Sequence, residues 1–230
     1  MTAPASLVWL FDVDGTLLLT DGAGRRAMSA ALQERFGIAD DLAGIAMSGR
    51  TDPLIVGDVF RRHDLPLELA DVHSEFWTSV LAHMRRLMDP PPGGLLPGVV
   101  DVLAALDREP TWVSALLTGN VTEMARIKLG AFGIYERFAF GAFGDEAADR
   151  NALASVAVAR AAERCGVSPD RCVVVGDTEH DVACARAAGA RVVAVATGSV
   201  GRDHLASCAP DLLLDDLTDA DALTRWARAL

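Results

Sequence analysis

A chain of 230 residues that is 51% hydrophobic is long enough for one large core, or for a core domain with a smaller inserted one, and too apolar to be disordered. Its formal net charge of −11 argues against sequence-independent binding to nucleic acid and against adhesion to anionic membranes, since both need a basic footprint. No apolar run approaches the ~18 residues of a membrane-spanning helix. Residues 1–6 carry no basic side chain and do not read as a secretory signal. Cys165, Cys172, Cys184 and Cys208 show neither a Cys-x-x-Cys pair nor zinc spacing, so a cytoplasmic protein with reduced thiols is expected, monomeric or homodimeric.

The first element is an apolar run, Leu7-Val8-Trp9-Leu10-Phe11, which reads as a strand buried on both faces of a parallel sheet. It runs into Asp12-Val13-Asp14-Gly15-Thr16. Side chains alternate along an extended chain, so the two acids share a face if the strand persists, and Gly15 then releases the chain into a turn. Met28, Leu32 and Phe36 give the i, i+4 spacing of an amphipathic helix that stops at Gly37. Thr51-Asp52-Pro53 opens a second helix. A third carries Val72, Phe76, Trp77, Val80, Leu81, Met84 and Leu87-Met88, and ends at Asp89-Pro90-Pro91-Pro92-Gly93-Gly94. Residues 20–92 therefore read as an all-helical insertion between the first strand and the rest of an α/β domain, 1–19 with 93–230.

Beyond Pro97, helix and strand alternate. A helix over Val99 to Leu106 precedes a strand from Val113 to Leu117, which ends at Thr118-Gly119-Asn120. Helix from about Thr122 to Leu129, a short strand at Phe138-Ala139-Phe140 and a helix from Arg150 to Arg164 follow. The strand Cys172-Val173-Val174-Val175 ends at Gly176-Asp177, and a helix then runs through Ala188. The strand Val192-Val193-Ala194-Val195, a candidate strand at Leu212-Leu213-Leu214 and a closing helix to Leu230 complete the chain. This alternation predicts a parallel sheet with right-handed crossovers.

Three strand ends carry polar residues that a core would not choose: Asp12 with Asp14, Thr118, and Asp177. In open α/β sheets ligands bind at the carboxyl ends of strands. Asp177 and Asp181 lie at i, i+4, so a helix starting near Glu179 turns both toward one cleft. Four converging carboxylates repel one another unless a hard cation lies among them, and an all-oxygen ligand set suits Mg2+.

These stretches together resemble the haloacid dehalogenase-like (HAD) hydrolases over nearly the whole chain. Asp12-Val13-Asp14-Gly15-Thr16 matches the family's first motif, Leu117-Thr118-Gly119-Asn120 its second, and Gly176-Asp177 with Asp181 its fourth. The helical insertion stands where the phosphoglycolate phosphatase and β-phosphoglucomutase relatives carry their cap. The resemblance implies a Rossmann-like sheet of order 3-2-1-4-5 and a Mg2+-dependent phosphatase of small phosphorylated metabolites. It makes Asp12 the nucleophile that forms an aspartyl phosphate, and Asp14 the acid and base. Metal ligands are then the Asp12 carboxylate, the Asp14 main-chain carbonyl and Asp177, with Asp181 acting through water. Thr118, with the backbone of Gly119 and Asn120, would hold the phosphoryl oxygens near a helix N-terminus.

The family's third motif is usually a lysine, and the only lysine here, Lys128, lies inside the helix after the second motif. Arg150 stands at the third-motif position instead, able to pair bidentately but with different reach. In the cap, Gly49-Arg50-Thr51-Asp52 is the expected substrate loop, with Arg50 and Thr51 as contacts. Haloacid dehalogenation needs neither the second aspartate nor a metal, so Asp14, Asp177 and Asp181 argue against it. Phosphomutase chemistry shares the core, and a non-catalytic receiver-like phospho-signalling domain has no use for a helical lid.

Overall fold

The computed structural model describes residues 5–66 and 70–230, and the side chains of these apart from 70–72. Residues 1–4 and the side chain of Val72 lie outside the described residues. β1 (Leu7–Phe11) is fully buried, as a strand flanked on both faces must be. It sits at the centre of a six-stranded sheet with β4 (Trp112–Thr118), β5 (Gly141–Phe143), β6 (Cys172–Gly176), β7 (Arg191–Val195) and β8 (Leu212–Leu214), in the order β5-β4-β1-β6-β7-β8. Every pairing in it is parallel. The expected 3-2-1-4-5 order is present, with β8 added outside β7.

Alternation along β1 sorts the core. Trp9 and Phe11 face a cluster with Val99, Val102 and Leu103 of α4 (Val99–Leu106) and Leu223 of α9 (Ala220–Arg228). Val8 and Leu10 face Leu153, Ala154 and Ala157 of α6 (Arg150–Cys165) and Val182 of α7 (Glu179–Ala187). A further short helix, α8 (Arg202–Ser207), adds Leu205 to the second face. Register then aligns the strand ends: Phe11 pairs with Leu116 on one side and Val175 on the other. Asp12, Thr118 and Asp177 thus emerge at one edge of the sheet.

The expected third strand is displaced. Phe138-Ala139-Phe140 follows a 3-10 turn, Tyr135–Arg137, and the strand itself is Gly141–Phe143. The ladder to β4 already starts at the expected run, through Ala139 N–H to Ser114 O (2.9 Å) and Leu116 N–H to Phe140 O (3.0 Å). Phe138 packs on Phe11 at 6.1 Å between ring centres. The two aromatics made these residues look like the strand, whereas the ladder runs on beneath the smaller side chains of Gly141 and Ala142.

Three helices occupy the inserted stretch: α1 (Ala23–Phe36), α2 (Asp52–Arg62) and α3 (Ala70–Leu87). Their buried face gathers Met28, Leu32, Val56, Phe60, Phe76 and Met84, and it extends onto Val121 and Met124 at the start of α5 (Thr122–Ala131). Phe60 and Phe76 meet edge to face at 5.1 Å. The two chain crossings into the insertion pair with each other: β2 (Leu18–Leu19) runs antiparallel to β3 (Gly94–Leu95), an element the sequence reading lacks. No helix among the described residues is long and apolar enough to cross a membrane.

Candidate active site

The turn after β1 delivers Asp12 and Asp14 to different surroundings. Asp12 is buried and its backbone N–H still donates to Val175 O of the neighbouring strand, 2.9 Å away. Gly15 follows with φ +83°, a conformation that L side chains resist. A Cβ at Gly15, or at Gly198 after β7, would overlap the Asp177 carboxylate. These two glycines form the cradle that lets Asp177 approach the loop.

Asp12, Asp177 and Asp181 are all buried, and one carboxylate oxygen from each falls within 4.8 Å of the others. Arg150 is buried with them and lies 3.1 Å from Asp12 Oδ1 while also pairing with Asp181. Burial pushes the Asp12 carboxyl up to about 6, against the pull of Arg150 and with help from Asp181. Burial likewise pushes Asp177 up to about 8, reinforced by Asp12 and Asp181. Burial works against the Arg150 charge, but Asp12 and Asp181 overcome it and hold the guanidinium protonated well above its usual range.

Three buried acids thus face one cation, and burial, reinforced by their mutual repulsion, pushes the pKa of two of them upward. That donor set, all oxygen, in a cradle cleared of side chains, fits a hard divalent cation. Thr16 donates its hydroxyl to Asp177 Oδ1 at 3.1 Å and orients it. Asp181 is largely committed elsewhere. Its Oδ2 accepts the backbone N–H (3.0 Å) and hydroxyl (2.7 Å) of Thr178, closing a capping box at the start of α7. Its Oδ1 takes Arg150, leaving one lone pair for anything further.

Asp14 stands apart from this group, with its side chain 42% exposed. Lys128 Nζ lies 2.8 Å from Oδ1 and 2.6 Å from Oδ2, and Asn120 Nδ2 donates to Oδ2 at 2.7 Å. Asn120 also donates to Thr118 Oγ1 at 2.9 Å, which leaves the fully buried Thr118 with its hydroxyl proton free to donate. Asn120 Oδ1 is buried without a partner.

Asp12, Asp14, Gly119, Asn120, Arg150, Asp177 and Lys128 open onto a cavity of about 700 Å3 between the sheet edge and the inserted helices. That volume suits a small ligand. Arg50 is on its wall too, but its guanidinium is engaged by Asp58 at 2.5 Å and by Ala46 O at 3.0 Å. Thr51 lies elsewhere. It lines a smaller depression with His180, its hydroxyl is buried without a partner, and it makes no side-chain cap to α2.

The neighbouring Asp52 does the docking. Its carboxylate accepts the N–H of Val121 at 2.9 Å, and its own N–H donates to Gly119 O at 2.7 Å. A Cβ at Gly119 would overlap Arg50 O, so the insertion's loop rests directly on the loop after β4. Burial pushes Asp52 up to about 6, with Lys128 pulling the other way.

Gly198 is absent from the sequence reading, Thr16 and Asp52 appear there only as members of motifs without a contact of their own, and Lys128 appears only as a lysine outside the third motif. A signal existed for Lys128, because it continues the buried stripe of Met124, Ala125 and Leu129 on α5, where a lone charge is out of place.

A HAD-hydrolase-like family model matches residues 151–220. A phosphoglycolate phosphatase of Xanthomonas campestris is 30% identical over 211 residues, 90% of each chain. The chain belongs to the HAD-like hydrolases. Among solved HAD-like structures, a predicted phosphoglycolate phosphatase from Haemophilus somnus superposes with a TM-score of 0.74 at 22% identity, covering 96% of this chain and 98% of that one. CbbY from Rhodobacter sphaeroides, in complex with xylulose-(1,5)bisphosphate, gives 0.74 at 24% identity over 92% and 95%. Both share the fold, and this HAD-like hydrolase is a phosphatase of that family.

Proposed function

We propose that the protein hydrolyses a small phosphomonoester in two displacements, with Mg2+ as cofactor and residues 20–92 as a cap over the site. The observation that carries this reading is the group of three buried carboxylates sharing a single guanidinium. It is costly to keep unless a cation and a phosphoryl group use it. Mg2+ would be held by the Asp12 carboxylate, the Asp14 main-chain carbonyl and Asp177, with Asp181 outside it through water, and would supply neutralisation of phosphoryl charge.

In the first displacement an Asp12 carboxylate oxygen attacks phosphorus, the bond from phosphorus to the leaving oxygen breaks, and Asp14 hands that oxygen a proton. In the second, water attacks the aspartyl phosphate and gives its proton to Asp14, releasing inorganic phosphate and free Asp12. Arg150 beside it favours the ionised form of Asp12 that a nucleophile needs. Arg150 takes the third-motif role, facing Asp12 where a lysine is usual. The Thr118 hydroxyl and the backbone of Gly119 and Asn120 hold phosphoryl oxygens at the start of α5. Arg50 and Thr51 are the weakest members of the proposed substrate set, since the first is already paired and the second is not on the wall of the cavity.

The phosphatase relative from Xanthomonas campestris is named for phosphoglycolate, and a cytoplasmic phosphorylated acid or sugar of that size fits the cavity. Hydrolysis of p-nitrophenyl phosphate, with and without Mg2+, by wild type and Asp12→Asn tests the reading. Turnover that needs Mg2+ and vanishes in the variant is expected, and equal turnover in both proteins would sink it.

A further inference from the structure

We infer that Lys128 is the positioning residue for Asp14, fixing the direction from which the proton reaches the leaving oxygen. Asp14 projects from a turn into the cavity, and among the described residues every donor to its carboxylate comes from the second-motif loop and the helix behind it. Lys128 meets both oxygens, Asn120 meets one, and Asn120 is itself anchored on Thr118. The carboxylate is therefore referenced to β4 and α5, two rigid elements, rather than to its own loop.

Stability does not explain this lysine. Its ammonium is buried in an otherwise apolar stripe of α5, where it loses hydration, and its partner is too exposed for the pair to return much. A methionine would pack there better. Nor does Lys128 have another acceptor: its hydrogen bonds among the described residues are the two to Asp14. Proton transfer depends on the donor lying within hydrogen-bond reach in a fixed direction, and a side chain free to swing in a cavity of about 700 Å3 lacks that.

The inference rests on Asp14 being the acid, and the test separates the two claims. Values of kcat/KM for p-nitrophenyl phosphate and for glycerol 2-phosphate are compared in wild type, Asp14→Asn, Lys128→Met and Lys128→Gln. This constant covers binding and the steps through formation of the aspartyl phosphate, so the later role of Asp14 as base does not enter. Nitrophenolate leaves without a proton and glycerol does not, and a general acid is worth about 10²–10⁴-fold.

Asp14→Asn and Lys128→Met should each lower the glycerol 2-phosphate value at least about 30-fold more than the nitrophenyl value, with Lys128→Gln between them and wild type. If Asp14→Asn lowers both substrates alike, Asp14 is not the acid and the inference falls with it. If Asp14→Asn discriminates but Lys128→Met lowers both alike, the acid stands and Lys128 is merely structural. Should Lys128→Met fail to fold, Lys128→Gln, which keeps a donor and most of the length, carries the same comparison.

Discussion

Asp12 and Asp14 are two residues apart on one turn, yet they sit in opposite environments. Asp12 is buried against Arg150 and two further acids, and titrates near 6. Asp14 opens onto the cavity and is held by Lys128 and Asn120. Each acid has its own cation, delivered by a different helix: Arg150 from the first turn of α6, and Lys128 from the last turn of α5. Sequence spacing alone makes the pair look equivalent. What divides them is the wall each faces, and divided environments allow two carboxylates to take two chemical roles.

The largest effect should come from emptying the Asp12 wall of its cation. Arg150→Met leaves three buried acids without positive charge, and breaking a buried pair costs about 3–5 kcal/mol. Denaturant unfolding in the absence of Mg2+ should show a loss of that size, and Arg150→Lys should recover part of it. A loss under about 1 kcal/mol would mean the acids were never charged enough to need the guanidinium.

Asp177→Asn tests the cation-holding side next. Because the Asp177 carboxyl is pushed up to about 8 without a metal, an amide should be tolerated with no loss of folding stability. Turnover should fall by about 10²–10³-fold, and added Mg2+, which should raise the Tm of wild type, should not raise that of the variant. A full Mg2+ shift in the variant would place the ion elsewhere.

Asp52 belongs to the contact between the insertion and the second-motif loop. Its folded pKa of about 6 lies above the usual 3.8, so the folded state binds the extra proton. This contribution to stability is therefore whole below about pH 4 and is lost as the pH rises through 6, a swing of roughly 3 kcal/mol. Unfolding measured at pH 4.5 and pH 7 should show Asp52→Asn with the flatter dependence. Parallel curves for the two proteins would contradict the burial argument.

The smallest effect concerns the same contact. Gly119→Ala should push Arg50 O away and raise KM by about ten-fold, with kcat changing less, because the cavity loses its close-fitting wall while the acids stay put. An unchanged KM would show that the contact with Arg50 O does not shape the cavity.

The central strands were legible because five apolar residues before Asp12 and four before Gly176 leave little other choice, whereas the strand order came only from the family resemblance. The helices between β2 and β3 were legible from the periodicity of Met28, Leu32 and Phe36 and from the prolines at 90–92. The third strand was misplaced by three residues because aromatic Phe138 and Phe140 outweighed Gly141.

Asp12, Thr118 and Asp177 at strand ends, and Arg150 and Asp181 in the first turns of α6 and α7, could be placed from their motifs, whereas the contacts of Lys128 and Asp52 could not. Lys128 occupies an ordinary helical position, and only its place in a buried stripe sets it apart. Asp52 reads as a helix start, and nothing local reveals that its carboxylate meets Val121, 69 residues away, instead of its own helix. Long-range pairing of that kind comes from packing the insertion on the sheet edge, which periodicity does not encode.

The division of labour between Asp12 and Asp14 is tested most directly by acid-quenching the enzyme during turnover and mapping phosphoryl groups by mass spectrometry of its peptides. The account predicts one phosphoryl group on the peptide spanning residues 7–20, sensitive to hydroxylamine, present in wild type and absent in Asp12→Asn. An acyl phosphate that survives in Asp12→Asn and disappears in Asp14→Asn would contradict it, by making Asp14 the nucleophile.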